Sequence, residues 1–433
     1  MRILIVGTAG RDFHVFNTIY RQDPAHRVVA FTSAELSAGE RGTYPACLAG
    51  PLYPDGVPIV AEAELEDTIR AHGVDEVVFA YSELGCAEVA GLAARVLAAG
   101  TDFHLANPRR SMLATTRPVI AVTSARAGAG KSPTVRYLAE MLRSWGHRVA
   151  VVRHPWRAQR FGPDHQHTFV RDDGHEVDAC ADPQREPFDA LPGIDVVSGL
   201  DYQAILSVAE EFADVIVWDS AGSDLPFLRP SLHVLITDPL RVPDSPDDFP
   251  GEVGLRMADV VLISKCDAAG PGQVAQVEDA VRRMNPSAAV LRADSPVVVE
   301  GAERIAGCTV VVVEDELTLD LGPLRPGAGV AAAHQAGASG IISPRPQAVG
   351  SLVEVYARHP EAQSVLPVTG YRASDLEDVR ATLAATPSEA VIDATRIDLA
   401  ATLGLERPVA KAAYAIRPHD PDRLAGLVRA ALG

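Results

Sequence analysis

The sequence predicts an α/β protein made of three units with parallel sheets. Short apolar runs alternate with segments of helical pattern along the chain, as they do where helices connect the strands of a parallel sheet. Aromatic residues make up only 5% of the chain, so Ala, Val, Leu and Ile must supply most of the core, as is usual for helices packed on parallel strands. A length of 433 residues also exceeds what one core usually holds.

Two stretches mark the predicted boundaries between these units. Asn107–Arg117 is rich in Arg and is followed by a proline, so we interpret it as the link between an N-terminal Rossmann-like unit at 1–115 and a middle unit at 116–320. Gly322–Gly340 is rich in Gly, Ala and Pro, and it separates the middle unit from a small C-terminal α/β unit at 321–433.

The predicted elements follow from the apolar runs. The predicted strands are Arg2–Gly7, Val28–Thr32, Val74–Ala80, Asp102–Leu105, Val119–Thr123, Val149–Arg153, Val196–Ser198, Val215–Asp219, His233–Thr237, Val260–Ser264, Val310–Val313, Ile341–Ser343, Val365–Val368, Ala390–Ile392 and Val409–Ile416. Helices are predicted from about Asp12 and over Glu88–Ala99, Ser132–Trp145 and Tyr202–Ala213. The polar stretch Pro155–Gly193 has little periodicity, and we interpret it as a functional insertion or lid.

Charge and cysteine content exclude several classes of protein. The formal net charge of −18 repels a phosphate backbone, so nucleic acid is not an expected partner. The cysteines are scattered and form no CxxC pair, which suits buried thiols in a reducing compartment. No apolar run reaches the roughly 18 residues of a membrane span. We expect a cytoplasmic protein without a membrane partner that forms a homodimer.

The strongest motif is Ala-Arg-Ala-Gly-Ala-Gly-Lys-Ser at residues 125–132. In a P-loop, glycines let backbone N–H groups surround phosphate oxygens, the lysine holds the β- and γ-phosphates, and the hydroxyl binds Mg²⁺. A predicted strand precedes the loop and a predicted helix follows it, as this mechanism requires, although Ala125 replaces the usual first glycine. The middle unit is therefore predicted to be a P-loop NTPase domain that binds a nucleoside triphosphate and Mg²⁺. The residues predicted to contact the nucleotide are Gly128, Ala129, Gly130, Lys131, Ser132 and Pro133.

A second part of the nucleotide site is predicted at the end of another strand. Ile216-Val-Trp-Asp219 is an apolar run that ends in an acid, a pattern that is common on its own but supports an Mg²⁺ role beside a P-loop. Ser132 and Asp219 are the predicted metal-binding residues. Lys131 and Asp219 are also predicted to act in catalysis.

The segment Ser264-Lys-Cys-Asp267 follows a further apolar strand. It resembles the base-reading NKxD loop of GTPases, with Ser in place of Asn, so Lys265 and Asp267 are candidates for contact with the nucleobase. An ordinary turn at the end of a strand is the alternative interpretation.

Further candidates lie on other strand ends. Gly7-Thr-Ala-Gly-Arg-Asp12 opens a predicted helix, where it can bind an anion with Arg11 as the counter-charge; a purely structural glycine turn is the alternative. Arg153 and His154 leave the strand after the P-loop helix, at the sheet edge where α/β proteins bind ligands. With Arg126 of the P-loop, they are catalytic candidates for the γ-phosphate or the substrate.

Several stretches of the chain resemble cyclic 2,3-diphosphoglycerate synthetases, and they follow one another along nearly its whole length. They are Gly7–Phe13, Asp201–Leu206, Asp219–Phe227, Thr237–Pro239, Leu255–Val260, the loop at Lys265, Pro344–Gly350 and Leu366–Gly370. The resemblance implies an ATP-dependent ligase. ATP would phosphorylate an acidic oxygen of a small anionic metabolite, and a neighbouring group would then displace the phosphate to close a ring. Gly10, Arg11, Asp12 and Asp238 are the implied substrate-binding residues.

The loops of this sequence are more acidic than that family's, notably at Asp244, Asp247, Asp248 and Asp320. Acidic neighbours disfavour a highly charged anion, so we expect 2,3-diphosphoglycerate itself to be a poor substrate. A less charged acid that closes to a lactam or lactone suits these loops better. Two alternatives remain: a regulatory GTPase or metallochaperone of the same P-loop branch, and a relative that binds nucleotide without turnover.

Overall fold

The computed structural model describes residues 1–8, 10–80, 84–153, 167–170, 176–177, 194–199, 201–240, 249–315, 327–360, 362–368, 370–371, 373–395 and 397–433. At 167–170, 176–177 and 198–199 it describes the backbone alone. His154, the acidic residues of the predicted substrate loops and most of the predicted lid at Pro155–Gly193 lie outside these residues. The predicted α/β class with parallel-dominated sheets is confirmed, because three such sheets are present.

The first sheet is built from the N-terminal strands. They are β1 (Arg2–Val6), β2 (Arg27–Ser33), β3 (Arg41–Tyr44), β4 (Val57–Ala61), β5 (Glu76–Phe79) and β6 (Asp102–Leu105), in the order β3-β4-β2-β1-β5-β6. Only the β3–β4 pair is antiparallel. Helices α1 (Gly10–Val15), α2 (Ala46–Ala49), α3 (Leu65–His72), α4 (Cys86–Ala98) and α5 (Pro108–Ser111) connect or follow these strands, and a π-helix at Phe16–Tyr20 continues α1. Because β2 and β5 flank β1, the carboxyl end of β1 is a topological switch point, where open α/β sheets bind ligands.

The second sheet contains the strand before the P-loop. Its strands are β7 (Val119–Ser124), β8 (Val149–Arg153), β9 (His167–Val170), β10 (Glu176–Val177), β11 (Asp195–Gly199), β12 (Val215–Asp219), β13 (Leu232–Thr237), β14 (Val260–Ile263) and β15 (Ala289–Asp294). Their order is β10-β9-β11-β8-β12-β7-β13-β14-β15, and Arg417–Pro418 pairs beyond β15. Helices α6 (Lys131–Ser144), α7 (Tyr202–Phe212), α8 (Phe249–Met257) and α9 (Pro271–Met284) belong with this sheet. The pairs from β11 to β15 are parallel, so their carboxyl ends share one edge.

The third sheet is formed by β16 (Val297–Glu300), β17 (Thr309–Asp315), β18 (Gly340–Ile341), β19 (Val365–Val368), β20 (Ala390–Ala394) and β21 (Val409–Tyr414). Its order is β16-β21-β20-β17-β18, and β19 also pairs with β17. Helices α10 (Ala328–Gln335), α11 (Ser351–Arg358), α12 (Ala373–Ala385) and α13 (Leu399–Leu403) lie in this region. Its core is built from Val, Leu, Ile and Ala side chains of these elements.

The chain divides into two compact units, whereas three were predicted, and the predicted boundary at 115/116 lies within the first of the two. The described residues up to 292 form the first unit together with 418–433, and 293–417 form the second. The predicted strand at 310–313 exists, but as β17 it pairs with β19 and β20 and belongs to the third sheet. The C-terminal helix Pro421–Leu432 belongs to the first unit, where Arg429 lies over the Trp145 ring at 4.4 Å. Among the residues that the structure describes, no helix is long and apolar enough to cross a membrane.

His233 on β13 is a titratable residue buried in the second sheet, and its burial makes the stability of the protein depend on pH. Its side chain is 1% exposed and its Nε2 lies 2.7 Å from the Thr123 hydroxyl. Burial lowers the pKa of His233 to about 4, although the Asp259 carboxylate and a hydrogen bond with the Met257 backbone act in the opposite direction. Between roughly pH 6.5 and pH 4, His233 is therefore protonated in the unfolded chain but not in the folded chain. The folded state loses stability as the pH falls through this window.

We expect this single group to reduce the free energy of unfolding by about 2.5 kcal/mol between pH 7 and pH 4.5. Urea unfolding at both pH values, for the wild type and for His233→Gln, measures the effect, because glutamine has no proton to gain. The wild type should lose more stability on acidification than the variant. An equal loss in both proteins would show that His233 is not the group responsible.

Candidate functional site

The P-loop lies between the end of β7 at Ser124 and the start of α6 at Lys131. Gly128 and Gly130 have φ angles of 76° and 109°, a region that side-chain-bearing residues rarely adopt. These glycines let the backbone turn so that α6 begins directly after the loop. The side chain of Ser132 is exposed at the first turn of α6, so its hydroxyl is accessible to a metal ion beside a bound phosphate. The predicted strand–loop–helix geometry is therefore present.

The loop is held in place from its β14 side. Ser264 donates from Oγ to the Ala129 carbonyl at 2.6 Å, and Lys265 donates from Nζ to the Gly128 carbonyl at 2.7 Å. Lys265 has φ of 55°, and among the described residues it is the only non-glycine with positive φ. Such a conformation persists only where the surroundings fix it, and it often marks a functional site. The segment 264–267 thus lies beside the P-loop, as an NKxD-type loop requires, and the predicted base contacts of Lys265 and Asp267 stay a prediction.

Asp238 joins two cations of this site. It is 3% exposed and accepts hydrogen bonds from Arg126 Nη2 at 3.1 Å and, at a longer 3.4 Å, from Lys265 Nζ. Arg126 also donates to the Asp238 carbonyl. A carboxylate that is buried between two cations positions the P-loop, although its own charge repels an anionic substrate. Asp238 is thus paired with Arg126 and Lys265, and the substrate contact predicted for Asp238 and the catalytic role predicted for Arg126 stay predictions.

Lys131, the residue predicted to hold the phosphates, contacts two acceptors of the protein. Its Nζ donates to Ser124 Oγ at 3.0 Å and to the Gly222 carbonyl at 2.5 Å, and Ser124 Oγ also donates to the Gly222 carbonyl at 2.9 Å. The ammonium is thus held at the mouth of the loop in an orientation where phosphate oxygens can replace these acceptors. Lys131, Lys265 and Lys411 are the only lysines of the sequence, and two of the three lie in this site.

Asp219 ends β12 at the same sheet edge, paired in register with Val122 of β7. Its side chain is 5% exposed, and Arg153 donates from Nε to its Oδ2 at 2.7 Å. Mg²⁺ in nucleotide sites uses one or two carboxylates together with waters and phosphate oxygens, and Ser132 and Asp219 fit that donor set. Within the described part of the chain, no three His, Cys, Asp or Glu side chains gather as in a protein-only metal cage. The Mg²⁺ role of both residues stays a prediction.

At the predicted anion site at the start of α1, the two charged side chains are buried, and their contact with a substrate stays a prediction. Gly10 begins the helix, but Arg11 is 1% exposed and donates from Nε to Asp224 Oδ1 at 2.7 Å. It also donates from Nη2 to the Pro226 carbonyl at 3.1 Å. Asp12 is fully buried. The counter-charge of Arg11 is thus an acid of the protein itself, and neither Arg11 nor Asp12 presents a charge to solvent for a substrate.

Sequence reasoning did not identify Ser124, which shares the Gly222 carbonyl with Lys131, or Asp224, which pairs with Arg11. Ser124 is the last residue before the P-loop motif, where a hydroxyl carries no pattern of its own. Asp224 lies five positions after Asp219, and that short spacing from the predicted metal-binding acid was the available signal.

Comparison with known proteins places this site in a family. No protein-family model matches the chain. Arginine synthetase ArcE of Thermococcus kodakarensis is 40% identical over 433 residues, covering 98% of this chain and 95% of that protein. Tetraacyldisaccharide 4'-kinase of Geobacter sulfurreducens is 31% identical over 163 residues, 35% of this chain and 45% of that protein.

Among solved structures, LpxK from Aquifex aeolicus in complex with ATP has 15% identity and a TM-score of 0.48, covering 74% of this chain and 90% of that one. The prediction of a P-loop enzyme that uses ATP is confirmed, whereas membership of the cyclic 2,3-diphosphoglycerate synthetases stays a prediction. Because the 40% identity extends over nearly the full length of both proteins, the chain belongs to the P-loop, ATP-using family of arginine synthetase ArcE.

Proposed function

We propose that this protein is an ATP-dependent synthetase that forms arginine, or a closely related guanidino compound, from a ureido precursor and ammonia. The observation that carries the proposal is the near full-length identity to arginine synthetase together with an intact P-loop around Lys131. A nucleotide-binding domain and a synthetase relative together indicate that cleavage of ATP drives bond formation.

The chemistry of a guanidino group explains why ATP is needed. The oxygen of a ureido group is a poor leaving group, so ammonia does not displace it directly. Transfer of the γ-phosphoryl group of ATP to that oxygen gives ADP and a phosphorylated isourea. Ammonia then attacks the carbon, the carbon–oxygen bond breaks, and phosphate leaves. The balance is one ATP, one ureido compound and one ammonia converted to ADP, phosphate and one guanidino product.

The residues of the P-loop site suit the first step. Lys131 stabilises the negative charge that develops on the transferred phosphoryl group, and backbone N–H groups at Gly128 and Gly130 orient the phosphates. Ser132 and Asp219 would hold Mg²⁺, which neutralises phosphate charge when bound. Arg153 is the last residue of β8, at the same edge of the sheet, and its Nε donates to Asp219 Oδ2 at 2.7 Å.

The ring-closing reaction implied by the sequence resemblance shares this first step. It differs in the nucleophile, which is then a group of the phosphorylated substrate itself rather than ammonia. We still expect 2,3-diphosphoglycerate to be converted poorly, because of the acidic residues in its predicted substrate loops.

A regulatory GTPase is the second candidate, and the position of the segment 264–267 favours it. Ser264 and Lys265 fasten this segment to the P-loop at Ala129 and Gly128, and Asp267 follows with an exposed side chain, where a carboxylate would accept hydrogen bonds from guanine. Ser264, however, donates its hydroxyl to backbone carbonyls and lacks the amide of the GTPase asparagine. We therefore expect ATP to bind more tightly than GTP.

One experiment separates these functions. The protein is incubated with Mg²⁺, ATP or GTP, and either citrulline plus ammonium or 2,3-diphosphoglycerate, while phosphate release is followed. Arginine is identified by mass spectrometry and cyclic product by ³¹P NMR. We expect arginine and phosphate in equal amounts with ATP and citrulline, and neither when ammonium is omitted. Efficient cyclic product would support the ring-closing enzyme instead, and tighter GTP than ATP binding by calorimetry would support the GTPase.

A further inference from the structure

The carbonyl that holds Lys131 belongs to a short connection with two further anchors. Gly222 lies between β12 and β13 with φ of 47°, and it accepts hydrogen bonds from both Lys131 and Ser124. If the Lys131 ammonium turns toward phosphate oxygens, the Gly222 carbonyl loses at least part of its strongest donor. The Gly222 carbonyl then keeps the Ser124 hydroxyl as a donor but loses the charged one, and hydrogen bonds to charged groups are the stronger ones, so the connection has a physical reason to adjust when phosphate arrives.

Two residues after Gly222, hydrogen bonds from Arg11 of α1 hold the same connection. Asp224 accepts from Arg11 at 2.7 Å, and the Pro226 carbonyl accepts from the same guanidinium at 3.1 Å. Leu225 packs within the hydrophobic core of the first sheet, and the Arg11 guanidinium lies 4.8 Å from the centre of the Phe227 ring. The four consecutive residues 224–227 thus contact either Arg11 of α1 or the hydrophobic core of the first sheet. A displacement at Gly222 is therefore passed on to α1.

Electrostatics link the same residues directly. Burial raises the pKa of the Asp224 carboxyl, and the charges of Arg11 and, to a smaller extent, Lys131 act in the opposite direction. Moving the Lys131 charge therefore changes the field at Asp224 even without a change in backbone position.

Arg11 lies next to the edge of the first sheet where a ligand is expected to bind. It is the second residue of α1, which follows the turn after β1, and the carboxyl end of β1 is the switch point of that sheet. The Arg11–Asp224 pair thus joins the P-loop edge of the second sheet to the edge of the first sheet where a second ligand is expected.

We propose that Arg11 and Asp224 are positioning residues that transmit the occupancy of the P-loop by nucleotide phosphates to the start of α1. Phosphate draws Lys131 from the Gly222 carbonyl, the connection 222–227 adjusts, and the Asp224–Arg11 pair carries the adjustment to α1. The inference rests on the part of the proposed function that places ATP in the P-loop, and it is independent of the second substrate. By thermodynamic reciprocity, a ligand on the α1 side changes nucleotide affinity by the same factor.

Hydrogen–deuterium exchange tests this coupling without turnover. Mg²⁺ and a non-hydrolysable ATP analogue are added to the full-length wild type, and exchange is followed in peptides covering residues 10–20. We expect exchange to slow by about fivefold or more, the lower end of usual coupling energies. In Asp224→Asn the analogue should bind within about threefold of the wild-type affinity by calorimetry, but the protection of residues 10–20 should be lost.

A conservative variant and a matched control complete the test. Arg11→Lys keeps the charge but not the fork that holds Asp224 and Pro226 together, so it should also lose the protection. Arg21→Gln removes another ion pair in the same unit, Arg21–Asp201 at 2.9 Å, without touching the connection after β12, and should retain it. A purely structural role would change exchange equally with and without the analogue. Protection that persists in both Asp224→Asn and Arg11→Lys overturns the inference alone, whereas failure of the wild type to bind the analogue overturns the proposed function as well.

Discussion

Replacing Lys131 with alanine is expected to lower turnover by about 10²–10³-fold while the protein stays folded. The Nζ of this lysine lies beside the P-loop, where it donates hydrogen bonds to Ser124 Oγ and to the Gly222 carbonyl. Its removal takes away a donor aimed at the charge that develops on the transferred phosphoryl group. Ser124 still donates to the Gly222 carbonyl in this variant, so that buried carbonyl keeps one donor.

The measurement is the rate of phosphate release with ATP, Mg²⁺, citrulline and ammonium, together with the melting temperature by circular dichroism. Arg143→Ala is the matched control, because it removes one positive charge from the exposed last turn of the same helix. The control should retain its rate. A Lys131→Ala protein with a wild-type melting temperature and near-native turnover would show that this loop does not bind the reacting phosphates.

The elements that sequence analysis predicted well are those whose residues are buried on both sides. Val119–Ser124 and Val215–Asp219 are buried along their whole length, so each appears in the sequence as a continuous apolar run. The strands β3 and β4 were not predicted. Arg41–Tyr44 lies at the edge of its sheet with Arg41 and Thr43 exposed, and β4 contains Pro58, which weakens the pattern of a strand.

In the candidate site, sequence analysis predicted local motifs but not pairs of side chains that are distant in sequence. The P-loop and the loop at Ser264 were predicted because each is a local pattern that fixes its own geometry. The partner of Arg11 is 213 positions away in sequence, and no local pattern reveals a pairing of that kind. A glycine turn followed by arginine is equally compatible with a bound anion and with an internal carboxylate. Only the fold, which brings Asp224 to Arg11, distinguishes the two.

The packing of α8 against the P-loop gives the second prediction with a large expected effect. Gly251 is buried in the first turn of this helix, and a Cβ atom placed on it would lie 2.0 Å from the Ala125 carbonyl oxygen. That oxygen belongs to the backbone at the first residue of the loop, so the overlap is relieved only if the helix or the loop moves. In an open helical position, the same change stabilises a protein by roughly 0.5–1 kcal/mol.

We therefore expect Gly251→Ala to weaken ATP binding by about tenfold or more, corresponding to about 1.4 kcal/mol of overpacking strain transferred to the loop. Calorimetric titration with ATP and Mg²⁺ measures the affinity, and thermal unfolding reports the accompanying loss of stability. Gly272→Ala in the first turn of α9 is the matched control, because a Cβ atom there meets nothing within 4 Å. The control should bind ATP as the wild type does. If both variants bind ATP equally tightly, the P-loop tolerates displacement at Ala125, and contact with α8 does not set its geometry.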